Sequence, residues 1–499
     1  MNKRSLSKSK PHGQVDEAEK FFDVSSFQNA LLCNAFGESN KTIVVQIDDS
    51  KDISLQSLHV NNIEILKIHK KQWSYSPPSP RQNSYSEIDI SLATTKGIEI
   101  DSLVIFTADS ETHPLTLWET IDSILGMNGK AAIVLKFETE RKYRLNRWMV
   151  YISQIAERFG YVLIANKHVD NAAYELHALQ FRKESRPRWR IKHVRQSDWQ
   201  NIANLFQEIF GSPMTLDLWK WKYSNGRGNA ILAEKDGRVV AHYGGIYRDI
   251  QLFGEPDWAL QICDVMVAPT ERGVFTKNGP FNLMARTAAE IYGPLGFGFP
   301  NERHAKLAER ADIGESMGEM VELQWKPRKT KLGILYRIKS YSVPNKYWQQ
   351  EVNHCWKEMR QSLSDQVVGV RDWDYIQYRY INHPHTVYEI IGISNALAAR
   401  PFCIVVFKRN QQDIEVMDII ASKNKMPAAI GALKTYFSKF EVTNFILWIT
   451  KNQLGCFLRS GPAIRSLNIN VPNSSWTQHP NAGVMKDKWW LTSGDTDFH

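Results

Sequence analysis

Long apolar runs and a cysteine framework are both missing from this chain of 499 residues. No stretch of about 18 or more uncharged apolar residues occurs, so we expect no transmembrane segment. The basic start, MNKRSLSKSKPHGQ, has no apolar segment behind it, so we do not expect a secretory signal. The five cysteines are odd in number and lack metal-type spacing, which predicts no metal site and a reducing, cytoplasmic location.

A signature for nucleic-acid binding is also lacking. The net charge is +9 and the pI is about 9.1, values that favour anionic ligands such as a nucleotide cofactor, an acidic glycan or a membrane surface. The basic residues are dispersed, however, and no helix-turn-helix or zinc-finger pattern occurs. We therefore predict no specific nucleic-acid partner and interpret the charge as an ordinary solvated surface. Composition leaves the oligomeric state open.

Residues 260–293 form the most informative stretch, because they predict a strand, a loop and a helix in succession. The segment LQICDVMV alternates with a period of two and is rich in β-branched residues, as in a half-buried strand that ends at Pro269. Pro280 stands where a first helical residue is favoured, because its missing N–H would have had no helical partner.

The loop between that strand and helix, TERGVFTKNG, carries glycine and positive charge. A loop of this type turns backbone N–H groups and the positive end of a helix dipole toward one point, a geometry that binds phosphate or pyrophosphate. Arg272 and Lys277 would add charge there. The alternative is an ordinary strand–loop–helix crossover with a basic surface.

Residues 1–20 are polar and are predicted to be a disordered tail, whereas residues 21–185 alternate strands with helices, as in a mostly parallel α/β sheet. The segment LTLWETIDSILGMNG is predicted to be a helix ended by Gly129. The order resembles class I S-adenosylmethionine-dependent methyltransferases, with Asp109 after a strand, Asn128 and Gly129 before the next, and a terminal hairpin. The glycine-rich loop of that family is absent, since TIVVQID runs into DSKDIS. We therefore expect a degenerate Rossmann-like domain that does not bind S-adenosylmethionine.

Residues 188–330 show the order β-α-α-β-β-β-α-β-α. The segments DGRVVAHYGG, DVMVAPTERG, GPF at a helix start and GFPN after the next strand resemble the GNAT superfamily of acetyl-CoA-dependent N-acyltransferases. The resemblance implies that coenzyme A lies in a gap between the strands at 260–268 and 296–299. Six residues, VFTKNG, separate Gly273 from Pro280 and replace the family's compact Q/R-x-x-G-x-G/A, which leaves the binding amides open.

The resemblance implies a set of cofactor-binding residues, which lie on the central strand, in the following loop and after the next strand: Val265, Val267, Arg272, Gly273, Lys277, Asn278, Gly279 and Asn301. In the reaction a neutral amine attacks the thioester, and a carboxylate on the central strand can accept the amine proton. Asp264 is the candidate base, and the alternative is that it has only a structural role. His242 and His304 are rival bases, and Tyr243, Tyr247 or Tyr292 would protonate the leaving thiolate.

Residues 331–499 repeat the order of the preceding region and resemble a second GNAT copy. EVMDIIAS stands where DVMVAP stood, but the link KNKMP has no Arg-Gly pair and no glycine, so this copy should bind coenzyme A poorly or not at all. Several polar residues and one tryptophan could line an acceptor cleft between the copies: Glu415, Asp418, Arg371, Asp372, Trp373 and Asp374. The alternative, favoured for Asp372 and Asp374, is that they cap helices or turns.

The predicted protein is thus of the α/β class, with a methyltransferase-like domain followed by two tandem α+β GNAT folds. The predicted activity transfers an acetyl or other acyl group from coenzyme A to an amine on a small molecule or a glycan precursor. The ending KWWLTSGDTD resembles that of GNAT proteins linked to bacterial cell-surface polysaccharide systems. The rivals are a non-catalytic scaffold in polysaccharide assembly, a bifunctional enzyme with a working methyltransferase, and transfer of a longer acyl or an aminoacyl group.

Overall fold

The computed structural model describes most of the chain in segments: 42–47, 63–68, 100–107, 114–138, 142–171, 174–272, 279–292, 295–300, 302–310, 314–329, 335–341, 346–410, 412–474 and 482–496. The predicted tail at 1–20 and Asp109 lie outside these residues. The chain divides into two compact units, with the main boundary between Arg186 and Pro187. Across the described segments, no helix combines the length and the apolar character that crossing a membrane requires.

The first unit is built on a six-stranded sheet of order β2-β1-β3-β4-β6-β5. Strands β1 to β4 are parallel, and β6 runs antiparallel to β4 and β5, so the predicted terminal hairpin is confirmed. The elements between residues 42 and 183 are β1 Thr42–Ile47, β2 Ile63–Ile68, β3 Ile100–Thr107, α1 Pro114–Ile124, β4 Leu125–Glu138, α2 Lys142–Arg158, β5 Tyr161–Asn171 and β6 Tyr174–Lys183, and the start of α1 groups with the second unit. The methyltransferase resemblance itself stays a prediction.

One predicted boundary in this unit is wrong. Helix α1 ends at Ile124 instead of Gly129, and the segment LGMNG belongs to β4. Leu125 already pairs with Ile100 of β3, so sheet hydrogen bonding replaces the last helical turn that the sequence suggested. Tertiary pairing of this kind routinely overrides a local helix preference.

The second unit begins with the elements predicted for residues 188–330, called here the first copy. They are β7 Arg190–His193, α3 Trp199–Phe210, α4 Leu216–Tyr223, β8 Gly228–Lys235, β9 Arg238–Leu252, β10 Glu255–Val267, α5 Pro280–Tyr292, β11 Gly296–Phe297, α6 Glu302–Arg310 and β12 Gly314–Trp325. The tight turn between β8 and β9 uses Asp236 and Gly237, both at positive φ, as the sequence predicts. Helix α5 begins at Pro280, also as predicted.

Residues 331–499, which were predicted to be a second GNAT copy, are called the second copy here, and that assignment stays a prediction. They form β13 Tyr336–Ser340, α7 Lys346–Ser362, β14 Val367–Gly369, α8 Trp373–Ile376, β15 Glu389–Asn395, β16 Cys403–Arg409, β17 Asp413–Ala421, α9 Met426–Phe437, β18 Asn444–Thr450, β19 Ala463–Ser474, α10 Ala482–Met485 and β20 Trp489–Trp490. A turn of π-helix, Gln377–Ile381, continues α8. The last predicted strand is reduced to two residues and a 3₁₀ turn, Ser493–Asp495.

The two copies share one sheet of 14 strands. Its path is β13-β15-β16-β17-β18-β12-β19-β11-β10-β9-β14-β20, with β8 also pairing β9 and β7 pairing β8. Strand β12 of the first copy pairs with β18 of the second, and β19 of the second copy pairs with β11 of the first. The copies therefore exchange a strand, and each completes the sheet of the other.

Candidate active site

The central strand of the first copy parts from its parallel neighbour. Strands β10 and β11 pair only at Leu260 with Gly296 and at Gln261 with Phe297. Strand β10 continues to Val267, and over the same length it stays paired with β9 on its other side. Pairing thus ends at Gln261 while Gly298 still lies against Ile262, so the strands open beyond that residue, as the GNAT resemblance implies, although β11 is shorter than the predicted strand.

A β-bulge interrupts β10 within this opening. Cys263 lies opposite Gly244 and Met266 lies opposite His242, so two residues of β10 face one of β9. Asp264 is one of the two and adopts a φ of 48°, a left-handed conformation that a residue with a side chain seldom takes. The bulge places a backbone irregularity inside the opening between the strands, the kind of feature that often re-aims groups at functional sites.

Two side chains from the end of α4 hold the buried carboxylate of Asp264. Lys222 Nζ donates to Oδ1 at 2.7 Å, and the Tyr223 hydroxyl donates to Oδ2 at 2.6 Å. Burial opposes ionisation of Asp264, but Lys222 and Tyr223 outweigh it and hold the pKa of this carboxyl below its usual range. Gly244 makes the arrangement possible, because a Cβ there would overlap the Tyr223 hydroxyl.

His242 lies beside the same bulge. Its Nδ1–H donates to the carbonyl oxygen of Asp264 at 2.7 Å, which leaves Nε2 as the ring's acceptor nitrogen. Nε2 is buried and makes no hydrogen bond. Burial lowers the pKa of His242, against the opposing influence of Asp264, so the imidazole is neutral at pH 7.

The described part of the predicted pyrophosphate loop is anchored to β10. The Arg272 side chain is exposed, and its Nε donates to the carbonyl of Val267 at 2.9 Å. Buried Glu271 accepts hydrogen bonds from Lys235 at 2.6 Å and from Trp189 Nε1 at 3.0 Å, and so fixes the turn that leaves the strand. Gly279 is the N-terminal neighbour of α5 and accepts from the Leu283 amide. The remaining loop candidates lie outside the described residues: Gly273, Lys277, Asn278 and, beyond the next strand, Asn301.

The backbone of β10 presents one predicted cofactor-binding residue, Val267, to the opening. The amide of Ala268 donates to Val240 on β9, and the Val267 carbonyl points away from β9 to Arg272. Because backbone groups alternate in direction along the regular part of the strand, those of Val267 face the side that β11 has left, whereas Val265 lies within the bulge. This is the orientation that a strand needs in order to hydrogen-bond an inserted pantetheine arm.

The other predicted catalytic residues lie on helices that follow the opening. Tyr292 is the last residue of α5, and its side chain lies outside what the structure describes. His304 is exposed on α6. The contacts around the bulge instead come from His242, Lys222 and Tyr223.

The second copy has a matching opening, but the chain itself fills it. Strands β17 and β18 pair from Asp413–Asn444 to Val416–Leu447 and no further, while β12 covers the opposite edge of β18 up to Thr450. Thr492 therefore forms its bridge to Ile449 on the side that β17 has left. Residues 491–495, named here the C-terminal turn, occupy the space that stays open in the first copy.

A buried ion network fastens the C-terminal turn. Arg371 pairs with Asp418 at 2.8 Å and with Asp495, and Arg248 of the first copy pairs with Asp495 at 2.9 Å. Burial raises the pKa of Asp418 despite Arg371, whereas Arg371 and Arg248 together overcome burial and lower the pKa of Asp495. The Tyr380 hydroxyl also donates to Asp418, at 3.0 Å. These contacts make Arg371 and Asp418 structural residues, not the lining of an open cleft.

The remaining candidates for an inter-copy cleft take different positions. Asp372 caps α8 by accepting from the Tyr375 amide at 2.9 Å, so its predicted capping role is confirmed. Trp373 is buried in the core of the second copy. Glu415 is buried and pairs with Lys408 at 3.2 Å. Asp374 is exposed and, with Asp372, lines a cavity between the copies.

The contacts of Lys222 and Tyr223 with Asp264 were not predicted from the sequence. A signal was present in the internal repeat, because WKY at 221–223 corresponds to YRY at 378–380 before the first hairpin of each copy. In both copies the final tyrosine donates to the buried aspartate at the bulge of the central strand. Aligning the copies on this triplet would have identified the partners of Asp264.

Part of the first copy matches a known protein family. A family model described as "Acetyltransferase (GNAT) domain" matches residues 190–304, and a comparison with curated proteins found no match. Among solved structures, a probable N-acyltransferase from Enterococcus faecalis has 14% identity and a TM-score of 0.46, covering 57% of this chain and 72% of its own.

Two GCN5-related N-acetyltransferases each have 12% identity and cover 57% of this chain. The protein from Kribbella flavida has a TM-score of 0.43 with 70% of its chain covered, and that from Anabaena variabilis has 0.44 with 72%. The family match and the order of strands and helices in this region agree. Residues 190–304 are therefore a GNAT acetyltransferase domain.

Proposed function

We propose that the first copy transfers an acetyl group from acetyl-CoA to a primary amine of a small molecule or a glycan precursor. The observation that carries this proposal is the opening between β10 and β11, with the bulge at Asp264 inside it. In the reaction the amine nitrogen bonds to the thioester carbonyl carbon and the carbon–sulfur bond breaks. The amine loses a proton to a base, and the coenzyme A thiolate takes one up.

The cofactor is assigned to the backbone of β10 and the loop after it. The backbone of Val267, which faces the opening, would hold the pantetheine arm, and Val265 is carried over from the family resemblance. Arg272 and the N-terminal end of α5 at Gly279 would hold the pyrophosphate, and Gly273, Lys277, Asn278 and Asn301 are carried over from the family resemblance.

Asp264 and His242 are both candidates for the base, and the contacts favour His242. A carboxylate held by Lys222 and Tyr223 with a lowered pKa is a weak proton acceptor at neutral pH. His242 is neutral and keeps Nε2 free of hydrogen bonds. We assign Asp264 the task of orienting His242 through its carbonyl oxygen. Tyr292 and His304 stay candidates for the acid that protonates the thiolate.

Titration calorimetry with acetyl-CoA, followed by thiol release across a panel of amines, tests the proposal. Arg272→Glu places a negative charge beside the pyrophosphate and should weaken acetyl-CoA binding about tenfold or more. The matched control is Lys425→Glu, which reverses the charge of an exposed residue in the corresponding link of the second copy. It should leave the affinity unchanged, because the C-terminal turn fills that opening.

Absence of heat with the unaltered chain would contradict the proposal and favour the scaffold function. Equal losses in Arg272→Glu and Lys425→Glu would contradict the assignment of the cofactor to the first copy. A thioester panel of increasing chain length, run in the same assay, separates acetyl transfer from transfer of longer acyl groups.

A further inference from the structure

Helix α4 of the first copy is held at both ends by residues 378–385 of the second copy. The Thr215 hydroxyl, which caps the start of the helix, is hydrogen-bonded to His385 Nε2 at 2.6 Å. At the other end, the Trp221 carbonyl accepts a hydrogen bond from the Tyr378 hydroxyl at 3.1 Å. Because the carbonyls of a last helical turn have no partner within their own helix, Tyr378 satisfies a group that α4 itself cannot.

Ring contacts reinforce the hold on the end of α4. The Trp221 ring lies edge-on to the His383 ring, with centroids 4.7 Å apart, and the Arg379 guanidinium carbon is 5.4 Å from the tryptophan centroid. Arg227, in the loop after α4, lies over the Tyr378 ring with its guanidinium carbon 3.9 Å from the centroid. Contacts with several residues of the second copy therefore fix the position of this helix end.

The same helix end carries the two residues that bind Asp264. Lys222 and Tyr223 follow Trp221 directly in the chain. Both donate to the Asp264 carboxylate, at 2.7 and 2.6 Å. The backbone carbonyl of Asp264 in turn accepts from Nδ1–H of His242. A displacement of the end of α4 would therefore reach His242 through two successive sets of hydrogen bonds.

The hydrogen bond to Asp264 determines which nitrogen of His242 can act as a base. In a neutral imidazole one nitrogen carries the proton and the other is the acceptor. The bond at Nδ1 selects the tautomer whose acceptor is Nε2, and Nε2 finds no partner among the residues that the structure describes. A ring released from this carbonyl would also populate the Nε2–H tautomer, which cannot accept a proton at that atom.

We propose that Tyr378 of the second copy is a positioning residue for acetyl transfer in the first copy. Its hydroxyl holds the end of α4 and thereby keeps Lys222 and Tyr223 on the Asp264 carboxylate. That arrangement keeps His242 in the tautomer with an accepting Nε2. The inference rests on the proposed function, because it concerns the alignment of the base in that reaction. It gives the second copy, whose own opening the C-terminal turn fills, a task in the chemistry of the first.

The imidazole nitrogen NMR spectrum of the full chain, labelled with isotopic histidine and recorded without acetyl-CoA, tests this inference. His242→Gln identifies the signal, which in the parent chain should show the Nδ1–H form. Tyr378→Phe keeps the ring and removes only the hydroxyl, so it should raise the share of the Nε2–H form. It should also lower kcat about fivefold, with acetyl-CoA affinity unaltered. Trp221→Phe removes the opposite hydrogen bond and should change the tautomer in the same direction.

Tyr380→Phe is the matched control, because it makes the same change in the same π-helical turn. Its hydroxyl donates to Asp418 of the second copy and not to α4. The variant should therefore leave the His242 tautomer and kcat unaltered, although it also loses a buried hydrogen bond. This comparison separates positioning of His242 from a general loss of stability.

An unaltered His242 tautomer in Tyr378→Phe overturns the inference, and so does an equal change in Tyr380→Phe. Failure of the proposed function is a different result, in which the parent chain releases no thiol from acetyl-CoA. The nitrogen spectra need neither acetyl-CoA nor turnover, so they decide in either case whether Tyr378 positions His242.

Discussion

Trp221 and Tyr378, which occupy equivalent positions in the two copies, hydrogen-bond each other reciprocally. The Trp221 indole donates to the Tyr378 carbonyl at 3.0 Å, and the Tyr378 hydroxyl donates to the Trp221 carbonyl at 3.1 Å. The two rings are stacked with centroids 4.8 Å apart. The two copies therefore contact each other through residues that occupy equivalent positions in each of them.

This reciprocal contact predicts an energetic coupling between the copies. Trp221→Leu and Tyr378→Leu each remove one hydrogen bond and one partner of the ring stack, and should each cost about 2 kcal/mol. The double variant should depart from additivity by about 0.5–1.5 kcal/mol, because the rings also stack on each other. Urea unfolding followed by circular dichroism measures all four corners of the cycle. Strict additivity would show that the stack contributes no coupling.

Replacing Lys222 by Met should make the free energy of unfolding decrease as the pH rises. In the parent chain the pKa of Asp264 is lowered, so its contribution is present above about pH 3.9 and is lost only below that value. Without Lys222, burial would raise this pKa, and stability would then fall as the pH rises through the raised value. The urea midpoint of Lys222→Met should therefore decrease between pH 5 and 8, with a loss of about 3–5 kcal/mol at pH 8.

The double variant Lys222→Met with Asp264→Asn is the control for that experiment. It removes both charges, so the added pH dependence should disappear. If Lys222→Met follows the same pH curve as the parent chain, the ion pair does not control the ionisation of Asp264.

Changing His242 to Gln should slow acetyl transfer without weakening the binding of acetyl-CoA. Loss of a positioned base reduces kcat about 100-fold or more, and acetyl-CoA affinity should be unaltered. Burial lowers the pKa of His242, so the acidic limb of the parent kcat/KM profile should lie below about pH 6.5 and should vanish in the variant. An unaltered kcat in His242→Gln, with the loss confined to Asp264→Asn, would return the base role to Asp264.

Gly494 is predicted to be intolerant of any side chain. A Cβ there would overlap the Tyr380 hydroxyl and would lie 2.9 Å from the Met417 carbonyl oxygen. Overpacking of this kind should make Gly494→Ala less stable by about 1–3 kcal/mol. Gly431→Ala is the matched control, because nothing lies within 4 Å of its Cβ position in helix α9 and alanine favours helices. The midpoint temperature of thermal unfolding should therefore fall in Gly494→Ala and rise in Gly431→Ala.

Local features of the candidate site were predictable from the sequence. Period-two alternation predicted β10, and Pro280 marked the start of α5. The Asp236–Gly237 pair marked a hairpin turn. Each of these signals acts within a few residues, because strand alternation, helix starts and tight turns depend on the conformational limits of neighbouring backbone. The pairing of Asp264 with Lys222 was not predictable in this way, since 42 residues separate them.

The sequence by itself determined the succession of strands, loops and helices, because hydrophobic periodicity and turn chemistry are local. Only the tertiary structure decided that the C-terminal turn fills the opening between β17 and β18 and not the one between β10 and β11. Strand exchange between β12 and β19 and the ion pairs of Asp495 bring the C-terminal turn into the second copy, hundreds of residues from its partner Arg248. Such placement depends on which distant edges and buried charges meet, and no pattern along the chain specifies that.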